Sequence, residues 1–245
     1  MPAPTQVIDS PANPRVKAAV ALRERRERDA AGLTLIDGGR EALRAIEAGA
    51  VVERAFVCRS RIGSVAARRV AEKLEQDFGP HGAPIELIEV GERAFERLAY
   101  GDRADGVVLV VRVPERRLED LVLSMPPLIV VTEDVEKPGN VGAILRSADA
   151  VGADAVIAVG GTDLYNPNVI RASVATVFST QVVTAPAAEV VGWLRANRVR
   201  IVAARVDAAQ LHSEAELCAS ALISASLGEL DLDQRAACDP ALEVV

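Results

Sequence analysis

An asparagine and an arginine stand close together where a strand pattern changes into a helix pattern. Asn140 and Arg146 follow the apolar run 127–131, so both come after the carboxyl end of a predicted strand. Ligands of open α/β sheets bind in the crevice at the carboxyl ends of the strands. The pair therefore predicts a ligand site. The plainer alternative is a helix N-cap and an exposed helix arginine.

The residues around this pair predict a tight turn and room for a close contact. Pro138 and Gly139 favour a turn, and Asn140 then takes the position of a helix N-cap. Gly142 has no side chain, so a ligand can approach the first helical turn closely. We therefore expect a strand, a short loop and a helix that ends near Val151.

Strand and helix patterns alternate along two stretches of the chain, which the polar linker 114–117 separates. We expect two α/β units with parallel strands and right-handed crossovers. The predicted strands are 33–37, 54–58, 84–90, 106–113, 128–131, 155–159, 178–183 and 200–204. The predicted helices are 13–30, 41–48, 65–78, 92–99, 140–151, 169–175 and 187–196.

The composition fits α/β layers. Half of the 245 residues are hydrophobic and only 3% are aromatic, so Ala, Val, Leu and Ile must build the core. No apolar run approaches the roughly 18 residues of a membrane span, and the N-terminus has no signal-peptide pattern. We therefore expect a cytoplasmic protein without membrane contact. Cys58, Cys218, Cys238 and two isolated histidines predict neither a disulfide framework nor a metal site.

Charge is distributed unevenly along the chain. The net charge is −7, and residues 207–245 alone hold eight acidic residues and one basic residue. Residues 1–117 carry 20 basic and 18 acidic residues, with a basic cluster made of Arg15, Lys17, Arg23, Arg25, Arg26 and Arg28. Neutralising RNA phosphates needs clustered Lys or Arg, so the cluster predicts RNA contact unless it is only a solvated helix face. The low aromatic content argues against recognition by base stacking.

A longer pattern surrounds the Asn140 and Arg146 pair. It consists of Asn140, Gly142, Ala143, Arg146, Ala148 and Gly152, and continues through 153–157 to Asn166-Pro167-Asn168-Val169-Ile170-Arg171-Ala172-Ser173. This pattern resembles the SpoU (TrmH-type) RNA ribose 2′-O-methyltransferases of the SPOUT class. In that family the second segment runs N-P-x-x-x-R-A-S-x-G, and here Ala175 stands at the glycine position. The resemblance extends to about Arg205.

A second resemblance covers residues 10–112. The start 13–17, the arginine-rich helix after it and the run 35–43 are similar to the ribosomal-protein-L30-like substrate-binding domain of many SpoU enzymes. The two resemblances imply an L30-like α/β domain at 10–112 and an incomplete SPOUT-type (α/β knot) domain with a parallel sheet at 118–206. An atypical acidic tail follows at 207–245.

The family resemblance also implies roles for individual residues. Arg146 would hold the RNA phosphate or the attacking 2′-hydroxyl, Asn140 would orient Arg146 and the loop, and S-adenosyl-L-methionine (AdoMet) would donate the methyl group. Arginine is not expected to act as the base, because its pKa stays above about 12. The residues expected to bind RNA, either rRNA or tRNA, are Arg15, Lys17, Arg23, Arg25, Arg26, Arg40, Arg171 and Ser173. The last two are alternatively expected to contact the partner in a homodimer.

The sequence after Arg205 departs from the family pattern. The family has a strand before a Gly-Glu loop and then an SLNVS-like segment, which together form the AdoMet pocket. Here Gly228-Glu229 has no strand pattern before it, and no asparagine follows Asn197. We therefore assign no AdoMet-binding residue and expect about the last thirty residues to be poorly ordered, apart from a short helix near 213–222.

Three functions agree with these observations. The first is an AdoMet-dependent RNA 2′-O-methyltransferase family member, whose truncated or altered C-terminus leaves its activity open. The second is a non-catalytic RNA-binding or dimerising relative. A generic doubly wound domain with an unrelated small ligand is a third.

Overall fold

Two units make up the folded chain. The computed structural model describes residues 7–76, 85–99, 105–204, 220–225 and 243–244, with only the backbone described for 221–225 and 243–244. The first unit combines Met1–Pro114 with Tyr165–Ser179, and the second combines Glu115–Leu164 with Thr180–Val245. Tyr165–Ser179 therefore packs with the first unit, although it lies inside the range 118–206 predicted for the second.

A four-stranded mixed sheet forms the centre of the first unit. Its strands are β1 (Leu33–Asp37), β2 (Val52–Val57), β3 (Glu86–Glu89) and β4 (Val107–Arg112), in the order β1-β4-β2-β3. β2 and β3 are parallel, but β4 is antiparallel to β1 and β2. The prediction of parallel pairing was wrong for β4. Its run of buried valines and leucine favours a central strand, whether parallel or antiparallel to its neighbours. The alternation of strands and helices along the chain does not determine the direction of a strand within the sheet.

The helices of the first unit include a break that the sequence pattern did not predict. They are α1 (Pro14–Ala21), α2 (Arg25–Ala31), α3 (Gly39–Glu47), α4 (Val65–Gln76) and α5 (Glu92–Leu98). The predicted single helix 13–30 is two helices, and the side chain of Arg28 in α2 turns inward toward the segment that joins them. Arg28 is 2% exposed, and its Nη1 donates to the carbonyls of Leu22 and Arg23 at 3.0 and 2.7 Å. It thereby satisfies carbonyls that the end of α1 leaves without a helical partner.

Two short helices complete the first unit, α7 (Pro167–Ala172) and α8 (Thr176–Ser179). α7 packs against β1, the edge strand of the sheet, and α8 packs against α3. The hydroxyl of Thr34 donates to the carbonyl of Tyr165 at 2.7 Å, and Arg171 pairs with Asp37 at 2.7 Å. An edge strand presents unpaired backbone groups, so the packing of α7 protects this side of β1.

A six-stranded sheet forms the centre of the second unit. Its strands are β5 (Leu128–Glu133), β6 (Ala155–Val159), β7 (Gln181–Thr184), β8 (Arg200–Ala204), β9 (Ser220–Ala225) and β10 (Glu243–Val244), in the order β10-β8-β9-β5-β6-β7. All the paired strands are parallel, as predicted for this part of the chain. β6 and β7 lie on one side of β5, and β9 and β8 lie on the other. The carboxyl end of β5 is therefore a topological switch point, where open α/β sheets bind ligands.

β9 lies between β5 and β8, where the sequence analysis expected no strand. Ser220 is fully buried, and its hydroxyl accepts hydrogen bonds from the Arg200 guanidinium at 3.1 and 3.2 Å. The predictions of a poorly ordered tail and of a helix reaching residue 222 were therefore wrong for Ser220–Ala225. Pairing on both sides overrides the helix propensity of Ala and Leu. The prediction of a poorly ordered tail was also wrong for Glu243–Val244, which form β10. The rest of the tail prediction falls on residues before 220, on 226–242 and on 245, which lie outside the described residues.

Two helices of the second unit pack on this sheet, α6 (Pro138–Ala150) and α9 (Ala187–Ala196). α6 buries Val141, Gly142, Leu145 and Ala148. α9 buries Val190 and Leu194 in a core with Ile129 and Ile157 of the sheet. Among the described residues, no helix combines the length and the apolar character that crossing a membrane would require.

Candidate active site and RNA-binding residues

Asn140 lies in the first turn of α6, after the carboxyl end of β5. Lys137 is the N-cap residue and Pro138 begins the helix, so Asn140 is its third residue. The predicted N-cap role of Asn140 was wrong, because proline takes the first helical position, where its missing N–H costs nothing. The N–H of Asn140 donates to the carbonyl of Lys137 at 2.9 Å, and its side chain is exposed.

Arg146 is exposed one helical turn beyond Gly142. Gly142 lies on the buried face of α6, and the predicted approach of a ligand at this position stays a prediction. Helix geometry separates Asn140 from Arg146 by about 9 Å along the axis and about 120° around it. The two side chains can therefore contact different groups of an extended ligand such as a polynucleotide.

The loop between β5 and α6 is held by the loop that follows β6. Asp134 begins it with a φ of 49°, and its N–H donates to the carbonyl of the last residue of β6 at 3.1 Å. The Asp134 carboxylate lies over Gly160, where a side chain would collide with it. Thr162, only 3% exposed, donates from its hydroxyl to the carbonyl of Val135 at 3.0 Å. These contacts fix the approach to α6.

Three of the predicted RNA-binding arginines form ion pairs at the surface. The pairs are Arg15 with Glu86 at 2.6 Å, Arg25 with Asp29 at 3.6 Å and Arg40 with Glu41 at 3.4 Å. The three arginines are between 55% and 67% exposed. Exposed ion pairs contribute about 0–1 kcal/mol, so an RNA phosphate can replace these carboxylates at little cost.

Arg23 has a structural role that the sequence did not indicate. Its Nη2 donates to the carbonyls of Arg97, Leu98 and Ala99 at 3.0, 3.2 and 2.9 Å. These carbonyls end α5, where a cation both satisfies free acceptors and interacts favourably with the helix dipole. Arg23 is therefore engaged within the first unit.

Lys17 and Arg26 differ from the other members of the basic cluster. Both side chains are exposed, and among the described residues neither forms an ion pair or a side-chain hydrogen bond. Arg59, by contrast, donates to Glu75 at 2.6 Å, which raises its pKa above the ordinary arginine value, and it also pairs with Glu89. Within the basic cluster, Lys17 and Arg26 therefore offer the least hindered charge to a phosphate.

Arg171 and Ser173 are both held inside the first unit. Arg171 pairs with Asp37, whose side chain is only 5% exposed. Ser173 is fully buried, and its hydroxyl donates to the carbonyl of Ile170 at 3.1 Å. The predicted RNA contact of Ser173 is contradicted by this burial. Sequence reasoning missed Asp37, although an acidic residue at the end of an apolar strand was a usable signal.

Ala175 stands at a position that favours glycine. Val174 and Ala175 have φ angles of 55° and 59°, in the left-handed region. The N–H of Ala175 donates to the carbonyl of Ile170 at 2.7 Å, which closes the end of α7. A non-glycine residue pays about 1–2 kcal/mol for this conformation. This geometry gives a physical reason for the glycine in the family pattern.

Comparisons with known proteins match both parts of the chain. Residues 127–225 match the SpoU rRNA Methylase family, and residues 13–109 match the MRM3-like substrate binding domain. A crystal structure of an RNA 2′-O ribose methyltransferase is 36% identical, with a TM-score of 0.80, over 98% of this chain and 88% of that one. The chain belongs to the SpoU family of rRNA methylases.

Curated relatives of this SpoU-family chain include two bacterial methyltransferases of 23S rRNA. The 23S rRNA (uridine(2479)-2′-O)-methyltransferase of Streptomyces viridochromogenes is 32% identical over 72% of this chain. The aligned region spans 60% of that relative's length. The 23S rRNA (guanosine(2553)-2′-O)-methyltransferase RlmP of Bacillus subtilis (strain 168) is 26% identical over 79% of this chain and 71% of its own.

The comparisons confirm the family prediction and correct its extent. The match to the SpoU family ends at residue 225, so the prediction that the resemblance stops near Arg205 was wrong. The absence of the later motifs, the L30-like character of the first domain and the predicted domain boundaries stay predictions. The exposed positions of Asn140 and Arg146 are compatible with the site that the family resemblance implies.

AdoMet is the cofactor of this family. The SpoU methyltransferase AviRb from Streptomyces viridochromogenes, 27% identical with a TM-score of 0.81 over 95% of this chain and 88% of its own, is solved in complex with AdoMet. The ranges 205–219 and 226–242, which follow β8 and β9, lie outside the described residues of the present chain, so no AdoMet-binding residue is assigned. The described ranges also contain no cluster of His, Cys, Asp or Glu suited to a metal ion.

Proposed function

We propose that this chain is an AdoMet-dependent rRNA ribose 2′-O-methyltransferase with α6 as its catalytic element. The observation that carries the proposal is the pair Asn140 and Arg146, exposed after the carboxyl end of β5 at a topological switch point. The curated relatives act on 23S rRNA, which favours rRNA over tRNA as the substrate class.

In this proposal the two side chains hold the RNA for methyl transfer. AdoMet, when bound, supplies an electrophilic methyl group for the ribose 2′-oxygen. Arg146 holds the phosphate beside the target nucleotide through two parallel charge-assisted hydrogen bonds. Fixing the phosphate orients the 2′-hydroxyl, and such positioning can supply much of the barrier reduction. Asn140 orients the β5–α6 loop and contacts the neighbouring part of the nucleotide.

Replacement of Arg146 tests this assignment. We expect Arg146→Ala to lower single-turnover methyl transfer to 23S rRNA at least tenfold, about 1.4 kcal/mol of barrier, while the AdoMet dissociation constant changes little. Arg195→Ala, which removes an exposed arginine from α9 in the same unit, is the matched control and should leave the rate unchanged. A loss below tenfold for Arg146→Ala would contradict the assignment.

A non-catalytic RNA-binding relative is the second candidate. The observation in its favour is the sequence of 207–245, which carries a net charge of −7 and departs from the family pattern. Calorimetric titration with AdoMet separates the two candidates. A dissociation constant in the low micromolar range, worth roughly 8 kcal/mol, supports the enzyme. Absent AdoMet binding together with retained rRNA binding supports the non-catalytic relative.

RNA binding by the first unit is assigned to Lys17 and Arg26 first. Each phosphate contact changes the slope of log affinity against log salt by about 0.7–0.9. Lys17→Gln with Arg26→Gln should therefore reduce the slope by roughly 1.5. Arg23→Gln should lower the stability of the first unit and leave the slope nearly unchanged, because Arg23 caps α5. Equal slopes for the double variant and the unmodified chain would contradict the assignment.

Arg15, Arg25, Arg40 and Arg171 take second place in RNA binding, because each first has to release a carboxylate. A homodimer and a cytoplasmic location complete the proposal. Light scattering of the full chain measures the mass directly, and a monomeric mass at micromolar concentration would contradict the dimer.

A further inference from the structure

The position of α6, the catalytic element of the proposed enzyme, depends on a loop without helix or strand structure. Residues 134–137 connect the end of β5 with the start of α6. A 1 Å displacement of a catalytic group can cost about a hundredfold in rate. The position of α6, and with it the rate, therefore depends on how firmly this loop is held. The contacts that hold it come from residues outside the family pattern described above.

We propose that Thr162 is a positioning residue that fixes this loop through the carbonyl of Val135. Thr162 is 3% exposed and Val135 is 6% exposed, so their hydrogen bond of 3.0 Å is shielded from water. A buried carbonyl that loses its donor costs about 1–3 kcal/mol. The loop therefore keeps the arrangement in which Val135 faces Thr162.

The neighbouring residue of the loop, Asp134, is fixed separately. Asp134 has a left-handed φ of 49°, its N–H is bonded to the carbonyl at the end of β6, and its carboxylate lies over Gly160. Asp134 is exposed, whereas Thr162 is buried. Water can compete for the contacts of Asp134 but not for the hydroxyl of Thr162. The threonine is therefore the side chain that holds the loop against the interior of the unit.

Amide hydrogen exchange of the full chain tests the inference without any activity measurement. Thr162→Val keeps the size of the side chain and removes the hydroxyl. We expect exchange in residues 134–141 to become about tenfold faster, while α9 of the same unit stays unchanged. Thr162→Ser restores the hydroxyl and should restore slow exchange. Thr34→Val, which removes an equivalent bond in the first unit, should not alter exchange in 134–141.

Kinetics give the second test, which rests on the proposed methyltransferase activity. Thr162→Val should lower kcat about tenfold, leave KM for RNA within about twofold, and regain activity as Thr162→Ser. A merely structural role would reduce only the amount of folded enzyme, so kcat normalised to the folded fraction, measured by circular dichroism, would then stay unchanged.

The outcomes are distinguishable. Unchanged exchange in residues 134–141 of Thr162→Val overturns the inference, whatever the activity. Faster exchange with an unchanged kcat overturns the positioning role. An unmodified chain that transfers no methyl group to rRNA overturns the proposed function, and the inference then stands or falls on the exchange result alone.

Discussion

The same substitution should have opposite effects at two buried threonines of the first unit. Thr34 is fully buried and its hydroxyl donates to the carbonyl of Tyr165 at 2.7 Å. Thr176 is 1% exposed, and among the described residues its hydroxyl oxygen has no hydrogen-bond partner. Valine has nearly the shape of threonine, so replacement at either position changes the polarity and leaves the packing volume almost unchanged.

The magnitudes follow from the two environments. Thr34→Val leaves the half-buried carbonyl of Tyr165 without its donor, so the cost lies toward the lower end of the about 1–3 kcal/mol for an unsatisfied buried group. Thr176→Val removes a polar group that is buried without a hydrogen bond, which mutational data value at about 1–3 kcal/mol. We therefore expect Thr34→Val to lower the free energy of unfolding by about 1–2 kcal/mol and Thr176→Val to raise it by about 1 kcal/mol.

Urea unfolding followed by far-ultraviolet circular dichroism measures both effects. With a slope of about 2 kcal/mol per molar urea, the two midpoints should differ by roughly 1 M. Trp193, the only tryptophan, lies on α9 of the second unit, so its fluorescence provides a reference that neither substitution touches directly. Midpoints that shift in the same direction, or a lower midpoint for Thr176→Val, would refute the reasoning.

Two further pairs of substitutions test the strained backbone positions. Gly160→Ala should lower the free energy of unfolding by about 1–2 kcal/mol, because its φ is 88° and the new Cβ meets the carboxylate of Asp134. Gly161→Ala, with open space around it, should be neutral or stabilising. Equal midpoints of the two variants in thermal unfolding would contradict this. Ala175→Gly should be nearly neutral, since relief of about 1 kcal/mol of strain offsets the loss of a buried methyl group of about 0.8 kcal/mol. Ala172→Gly, in a right-handed helix, should cost about 0.5–1 kcal/mol, and a larger loss for Ala175→Gly in urea unfolding would show that no strain is relieved.

Elements with a strong local pattern were predicted closely from the sequence. β1, β6, β8 and α9 have the predicted bounds, because each is a continuous apolar or periodic run with clear flanking residues. The N-cap of α6 was misplaced by three residues, since proline competes with asparagine for the first turn and the local pattern does not decide between them. The break between α1 and α2 accompanies the burial of Arg28, which a pattern of charged residues cannot reveal.

The candidate site was only partly predictable for a similar reason. Asn140 and Arg146 are exposed side chains on one helix, so their local sequence locates them. Thr162 acts on Val135 across 27 residues of chain, and Asp37 acts on Arg171 across 134. β9 is a strand because it pairs with β5 on one side and β8 on the other. Contacts of this kind exist only after folding, so the order of residues does not display them.

The membership of Tyr165–Ser179 in the first unit means that neither unit is one continuous piece of chain. During synthesis, α7, the helix that covers β1, is made only after about fifty residues of the second unit. The second segment of the family pattern thus lies in the chain among the residues of the second unit but packs with the first. Recombination that exchanged only Met1–Pro114 would bring in a sheet whose β1 had packed against a different α7. A new substrate domain therefore has to be exchanged as two segments or evolve by substitution within this chain.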